Sequence, residues 1–307
     1  MTDKIKAAVI GVGYLGSIHA RIYHELKDVD LIGVVDTDPE RQSIAKKYKV
    51  PFYTSIEPLL DQVDVVSITV PTSLHNQMAM PFIRAGKGLL IEKPLSDSVA
   101  NGRELCRAAK EAGVIVQVGH VERYNPAILS LKGLIIEPMF VEFTRIGSFS
   151  IRGTDVDVVK DLMIHDLDLI NSLINQEITS IDAIGMPVLT SKIDIANARI
   201  VFANGCRANV VTSRVSLKKE RKIRLFQPNG YFSVDLVGHK VSHTYKTEKG
   251  IEHRSIPVAK HEPLKLELQD FITAFKQHKT PEVDAEAGLR ALVLSDKVKH
   301  NIFVPRA

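Results

Sequence analysis

Cysteine is nearly absent: Cys106 and Cys206 are the only two in 307 residues, far apart and with no second Cys or His at ligand spacing. That excludes a disulfide framework and a cysteine-based zinc site, and a reducing cytoplasmic setting is expected. No apolar run approaches the ~20 residues of a membrane span. The start, Met1-Thr-Asp-Lys-Ile-Lys, leads into a strand pattern without the apolar stretch of a signal peptide. Neither export nor membrane insertion is expected. Charge of one sign is also scarce. The 40 basic and 36 acidic residues leave +4, with the signs interspersed, so composition makes no case for nucleic acid. Internal repeats and linker-like stretches are missing too. At 45% hydrophobic and 25% charged, the chain reads as ordinary globular protein, long enough for about two domains.

What is present is an alternation of two periods. Strand-like apolar runs at 7–10, 31–35, 65–70, 89–91 and 114–118 are separated by stretches with helical spacing. Leu15, Ile18, Ile22 and Leu26 form one such stripe. This βαβα rhythm predicts a parallel sheet covered by helices on both faces. After Gly119 the pattern changes. A short helix is expected over 126–134, a strand over 140–146, and a long buried helix over 159–174, where Leu162, Ile164, Leu167, Leu169, Ile170 and Leu173 surround the axis. Short β-type runs recur from 180 to 257, with Asn204-Gly205 and Asn229-Gly230 as hairpin signals. Two helices, 263–277 and 285–298, follow. The expected class is therefore α/β: a dinucleotide-binding domain over 1–120, then an α/β domain over 121–307 with a largely antiparallel open sheet.

Gly11-Val12-Gly13-Tyr14-Leu15-Gly16 follows the first strand run and opens a helix, and Asp36 lies 20 residues beyond Gly16 at the end of the second run. That is the dinucleotide fingerprint. Gly11 permits the turn, Gly13 lets a pyrophosphate approach the N–H groups of a helix N-terminus, and Gly16 lets helix and strand pack closely. A carboxylate at Asp36 suits the ribose hydroxyls of NAD and repels the 2′-phosphate of NADP, so NAD is the expected cofactor. Arg41 reads as a solvated helix residue after Asp38-Pro39.

Glu92-Lys93-Pro94 follows Leu89-Leu90-Ile91 directly, which aims Lys93 at the ligand crevice of a doubly wound sheet. Asp161, His165 and Asp168 make one polar stripe on the otherwise apolar helix. Buried polar groups need partners or a function: the stripe is either a structural His-Asp pair or part of an active site. A metal site is not expected. The calcium loop fails because Lys160 stands where a glycine is needed, although Asp155, Asp157, Asp161, His165, Asp166 and Asp168 cluster in sequence; no HExxH motif exists.

Together these motifs resemble the Gfo/Idh/MocA oxidoreductase family over essentially the whole chain. Thr69-Val70-Pro71-Thr72 with His75, Val118-Gly119-His120, Glu122-Arg123-Tyr124-Asn125-Pro126 and the late Glu286-Ala287-Gly288-Leu289-Arg290-Ala291-Leu292 belong to the same likeness. The resemblance implies a Rossmann domain followed by an α/β domain whose open sheet mediates homo-oligomerisation to dimers or tetramers. It implies that Thr69, Pro71, Thr72, His75, Glu92 and Lys93 join Gly11, Gly13, Tyr14, Leu15, Gly16 and Asp36 at the cofactor. Lys93, with a cis bond to Pro94, would be catalytic, and Asp161 and His165 would complete the site. The block 152–168 is similar to that of family members oxidising UDP-N-acetylglucosamine at its 3-hydroxyl, so a nucleotide sugar is the substrate the resemblance implies.

Oxidising a secondary alcohol to a ketone moves a hydride to nicotinamide while a base takes the hydroxyl proton. His165 suits that base near neutral pH, Asp161 would orient it, and Lys93 would steady the reacting oxygen, with the roles of Lys93 and His165 open to exchange. Arg152, just before the helix, is the expected substrate contact beside Lys93, Asp161 and His165. The basic run 218–224 invites a pyrophosphate but reads more simply as a solvated strand or hairpin. His19, His75 and His120 suit packing as well as function. A free polyol or sugar of the inositol type is an alternative substrate, and a non-catalytic NAD-binding sensor is an alternative class.

Overall fold

The computed structural model describes residues 4–150 and 156–305. In chain order the first part runs β1 (Ile5–Ile10), α1 (Tyr14–Glu25), β2 (Val29–Val35), α2 (Gln42–Tyr48), β3 (Phe52–Tyr53), β4 (Val65–Ile68), α3 (His75–Arg84), β5 (Gly88–Glu92), α4 (Val99–Ala112) and β6 (Val116–Gly119). The second part runs α5 (Pro126–Leu129), β7 (Phe140–Ile146), a π-helical turn (Val159–Met163), α6 (Ile164–Ile174), β8 (Ile178–Met186), β9 (Ile195–Phe202), β10 (Arg207–Ser213), β11 (Glu220–Gln227), β12 (Gly230–Asp235), β13 (Lys240–Thr247) and β14 (Gly250–Ile256). Helices α7 (Pro263–Gln277) and α8 (Ala285–His300) and the short β15 (Ile302–Phe303) end it.

The first sheet is parallel throughout, in the order β3-β2-β1-β4-β5-β6. Every residue of β4 and β5 is buried, as the continuous apolar runs predict for a sheet covered on both faces. Its compact unit comprises Met1–Val121 and also Glu262–Leu292. That second segment differs from the expectation of one crossing near residue 120. The reason is apolar: Leu268, Phe271 and Ile272 of α7 share a core with Ile22 and Tyr23 of α1 and with Val9 and Val65 of the sheet. Lys265 to Glu25 and Lys276 to Asp28 are ion pairs along the same seam.

The other unit, Glu122–His261 with Val293–Ala307, holds a nine-stranded sheet ordered β14-β13-β12-β11-β7-β10-β9-β8-β15. All its pairings are antiparallel except β10 with β7 and β15 with β8. Alternation along β7, β9 and most of β10 sends Val141, Phe143, Ala198, Ile200, Ala208 and Val210 into one core with Val159, Leu167 and Ile170. The opposite face leaves Phe140, Ile184 and Met186 exposed. Sequence periodicity missed β14, whose Glu252, His253 and Arg254 carry no apolar alternation; as an edge strand, exposed along nearly its whole length, it needs none. No helix among the described residues is long and apolar enough to cross a membrane.

Candidate active site

The fingerprint glycines divide their work by geometry. Gly11 sits at φ +87°, and a Cβ there would lie 2.9 Å from Val70. A Cβ on Gly16 would fall 1.9 Å from the Gly11 carbonyl oxygen, so α1 can approach the β1 turn only because Gly16 has none. Around Gly13 no atom lies within 4 Å of where a Cβ would stand, and as N-cap of α1 it supplies no side-chain acceptor. The helix start is thus shaped for a ligand's anion. Tyr14 (67% exposed) and Leu15 (40%) follow on the surface of that first turn.

Asp36 follows β2 with its carboxylate oriented by two backbone donors: Val12 N–H to Oδ2 at 2.8 Å and Asp38 N–H to Oδ1 at 3.0 Å. Each oxygen keeps a lone pair, enough to accept two ribose hydroxyls. A cleft of about 700 Å³ is lined by Gly11, Gly13, Asp36, Thr69 and Pro71, with Arg41, Ser55, Leu74, Gln77 and Met78 as residues not anticipated as cofactor contacts. Leu74, Gln77 and Met78 recur at helical spacing, a signal that could have found them. Arg41 meets Asp38 in an exposed pair at 3.3 Å. An open glycine, uncapped helix amides and a poised carboxylate in one cleft fit NAD. Thr72, His75, Glu92 and Lys93 do not line this cleft.

His75 is buried, its ring nitrogens 3.0 Å from the Pro94 carbonyl and 3.1 Å from that of Val70. It ties the loop after β4 to the loop after β5, and burial lowers its pKa. Lys93 follows β5 directly and its bond to Pro94 is cis. Beneath it, Glu92 is buried and hydrogen-bonds His19 at 3.2 Å through Oε1, while Oε2 accepts the Lys93 N–H at 3.2 Å. Burial opposes the anion, yet the His19 bond and the Lys93 charge hold the Glu92 carboxyl below the usual range. His19 continues to Ser67 at 3.0 Å and Ser67 to Tyr23 at 2.8 Å. Gly119 is small for the same reason: a Cβ would lie 2.9 Å from the Glu92 carboxylate.

In the second unit the expected continuous α-helix begins instead as the π-helical turn, which carries Asp161; His165 lies on the first turn of α6. Both are half-buried. The third member of the sequence stripe, Asp168, is engaged elsewhere: Arg123 grips its carboxylate at 2.7 and 2.9 Å. Asp166 is likewise held by Arg145 at 2.7 to 3.0 Å, and Arg145 reaches Glu122 at 2.9 Å. Burial raises the Asp166 pKa against the pull of Arg145. This network was not anticipated as a unit. Its signal is an arginine and paired acids at positions that periodicity assigns to the core, since buried charges must be paired. Asp157 pairs with Lys299 at 2.9 Å. Arg152 and Asp155 lie outside the described residues, and among the described residues no group of three or more His, Cys, Asp and Glu is arranged for a metal.

Residues 5–120 match the Gfo/Idh/MocA family, an oxidoreductase family with an NAD-binding Rossmann fold. The chain is also similar to the UDP-N-acetylglucosamine 3-dehydrogenase of Acidithiobacillus ferrooxidans, with 34% identity over 303 residues, 96% of either chain. The solved structure of that enzyme aligns with a TM-score of 0.93 over 97% of this chain and 98% of its own. The scyllo-inositol 2-dehydrogenase (NAD(+)) of Bacillus subtilis is 29% identical over 318 residues, 94% of this chain and 92% of that protein.

Proposed function

The chain belongs to the Gfo/Idh/MocA oxidoreductase family, and we propose that this NAD-dependent dehydrogenase of sugar hydroxyls oxidises UDP-N-acetylglucosamine to its 3-oxo form. The observation that carries the reading is the placement of Asp161 and His165 four residues apart, where the π-helical turn runs into α6, in a chain alike over nearly its whole length to a nucleotide-sugar dehydrogenase. A sensor without turnover has no use for a histidine, an aspartate and a lysine of these kinds in one chain. The likeness to inositol dehydrogenases supports a second reading, a free cyclic polyol as substrate.

Bound NAD supplies the hydride acceptor. Gly11, Gly13 and Gly16 hold its pyrophosphate against α1, with Tyr14 and Leu15 on the same turn, and Asp36 accepts from its ribose. Thr69 and Pro71 border it, while His75 and Glu92 brace the loops after β4 and β5. Lys93 hydrogen-bonds the reacting oxygen and stabilises its developing negative charge. His165 accepts the hydroxyl proton, while Asp161, four residues earlier, orients the imidazole and stabilises the imidazolium. Arg152 is the further substrate contact. The exposed face of the nine-stranded sheet, with Phe140, Ile184 and Met186, joins copies of the chain into a dimer or tetramer.

The test follows nicotinamide reduction by the purified protein with NAD and, separately, UDP-N-acetylglucosamine, N-acetylglucosamine and inositol. Reduction with the nucleotide sugar is expected; reduction with inositol alone overturns the substrate. Lys93→Ala and His165→Ala are each expected to lower turnover by ~10² or more with NAD affinity unchanged. Normal turnover in either variant removes that residue from the mechanism.

A further inference from the structure

The run 218–224 holds five cations and one acid, and the β-strand sorts them by face. Lys222 and Arg224 are exposed and answered locally. Lys222 meets Glu220 at 3.2 Å, while Arg224 meets Glu142 at 3.1 Å and lies over the Phe226 ring. They form a solvated face. Arg221 has the opposite parity: it pairs in register with Arg145 of β7, shares the inward side with buried Ile223 and Leu225, and donates from Nη1 to Glu122 Oε1 at 3.1 Å.

Arg145 and Arg221 share that Glu122 oxygen but are differently placed. Arg145 is buried and spends Nε, Nη1 and Nη2 on Asp166 and Glu122. Arg221 is 39% exposed and makes the one bond; among the described residues its Nε and Nη2 meet no acceptor. Glu122 is itself anchored by Arg145 and by Asn125 Nδ2 at 3.1 Å, so it fixes one prong of the Arg221 fork on a side chain that stays partly exposed. The network leads to the catalytic helix, because Arg145 grips Asp166, the residue after His165. Burial and the like charge of Arg145 lower the Arg221 pKa, a strain that a bound anion relieves.

Resting on the nucleotide-sugar reading above, we propose that Arg221 is a substrate-binding residue whose guanidinium takes the diphosphate of the sugar nucleotide and so selects diphosphate-bearing sugars over free ones. A planar fork with donors already oriented suits phosphate oxygens better than a mobile lysine does. A purely structural Arg221 would balance the charge of Glu122 and do nothing for ligand choice.

The test is calorimetric titration of the NAD-loaded enzyme with UDP, which carries the diphosphate without the reacting sugar, for the parent, Arg221→Gln and Arg221→Lys. Arg221→Gln is expected to weaken UDP binding by about tenfold or more and to raise KM for UDP-N-acetylglucosamine in parallel, with kcat and NAD affinity held. Arg221→Lys keeps the buried charge balance and is expected to lose part of the affinity, so it carries the test if the glutamine variant folds poorly. UDP binding at parental strength in the folded variants overturns the role of Arg221 and leaves the nucleotide-sugar reading standing. Lower NAD affinity alongside unchanged UDP binding also overturns it. A parent enzyme that does not bind UDP and reduces NAD only with free sugar or polyol refutes the nucleotide-sugar reading, and the proposal with it.

Discussion

Gly13 and Gly16 stand three residues apart in one motif, yet alanine at the two positions has opposite consequences for the protein itself. At Gly16 the new Cβ would lie 1.9 Å from the Gly11 oxygen, 2.5 Å from Thr69 Oγ1 and 2.9 Å from the Gly11 carbonyl carbon. Ordinary contact begins at 3.4 Å, so the α1 start and the β1 turn must part by about 1.5 Å. The nearest obstruction is backbone and cannot rotate away. Overpacking of this kind costs ~1–3 kcal/mol, and the displaced amides lose charge-assisted bonds to the pyrophosphate worth ~1.5–3 kcal/mol, about 10- to 100-fold in NAD affinity. At Gly13 the Cβ meets no protein atom within 4 Å and φ is −64°, so Gly13→Ala should fold as the parent does. On the proposed reading its methyl would stand where the phosphate approaches, and NAD binding alone should fall. Thermal melting of the apo proteins and calorimetric NAD titration read the two effects separately. A Gly16→Ala protein that melts and binds as the parent does refutes the close-packing argument; a Gly13→Ala protein with parental NAD affinity refutes the phosphate assignment.

Asp194 closes the β8–β9 turn by accepting the N–H groups of Val188, Leu189 and Thr190, the Thr190 hydroxyl and Arg214 Nε, all at 2.7 to 2.8 Å. Burial opposes its charge, but these donors hold its carboxyl far below the usual range. A folded-state pKa below the unfolded one gives stability that is complete above about pH 4 and is lost as pH falls through the folded value. Asp194→Asn is expected to cost ~3–5 kcal/mol at neutral pH and to remove that acid dependence, as followed by urea unfolding. Equal urea midpoints for variant and parent at neutral pH would sink the idea. If the proposed sheet interface holds, Ile184→Glu with Met186→Glu shifts the oligomer toward monomer in sedimentation without loss of fold, and an unchanged sedimentation coefficient refutes that interface.

The cofactor half of the molecule was legible because its signals are local. A glycine spacing, a carboxylate 20 residues on and fully apolar strands each act through neighbouring backbone, so the turn at Gly11, the close approach at Gly16 and the place of Asp36 after β2 could be read from order alone. The second sheet was legible where one face is buried and illegible at β14, where neither face is. Residues at 263–277 were readable as a helix, but not the sheet against which Phe271 packs, because an apolar stripe states that a face must be covered and not by what.

The charged residues mark the division most sharply. Asp161, Asp166 and Asp168 are alike as letters on one helix. Arg145 and Arg123, distant in sequence, take up Asp166 and Asp168 through folding, a pairing that chain order does not disclose. The same holds in 218–224, where strand parity alone separates Lys222 and Arg224 from Arg221, but only the approach of Glu122 gives Arg221 a fixed direction. Sequence by itself determined the fold class and the NAD-binding character of the first half, since these depend on backbone periodicity and on a local glycine and carboxylate spacing. Tertiary structure alone decided which charges are spent on one another, because pairing energy depends on separations of a few ångströms between groups that the chain order holds far apart.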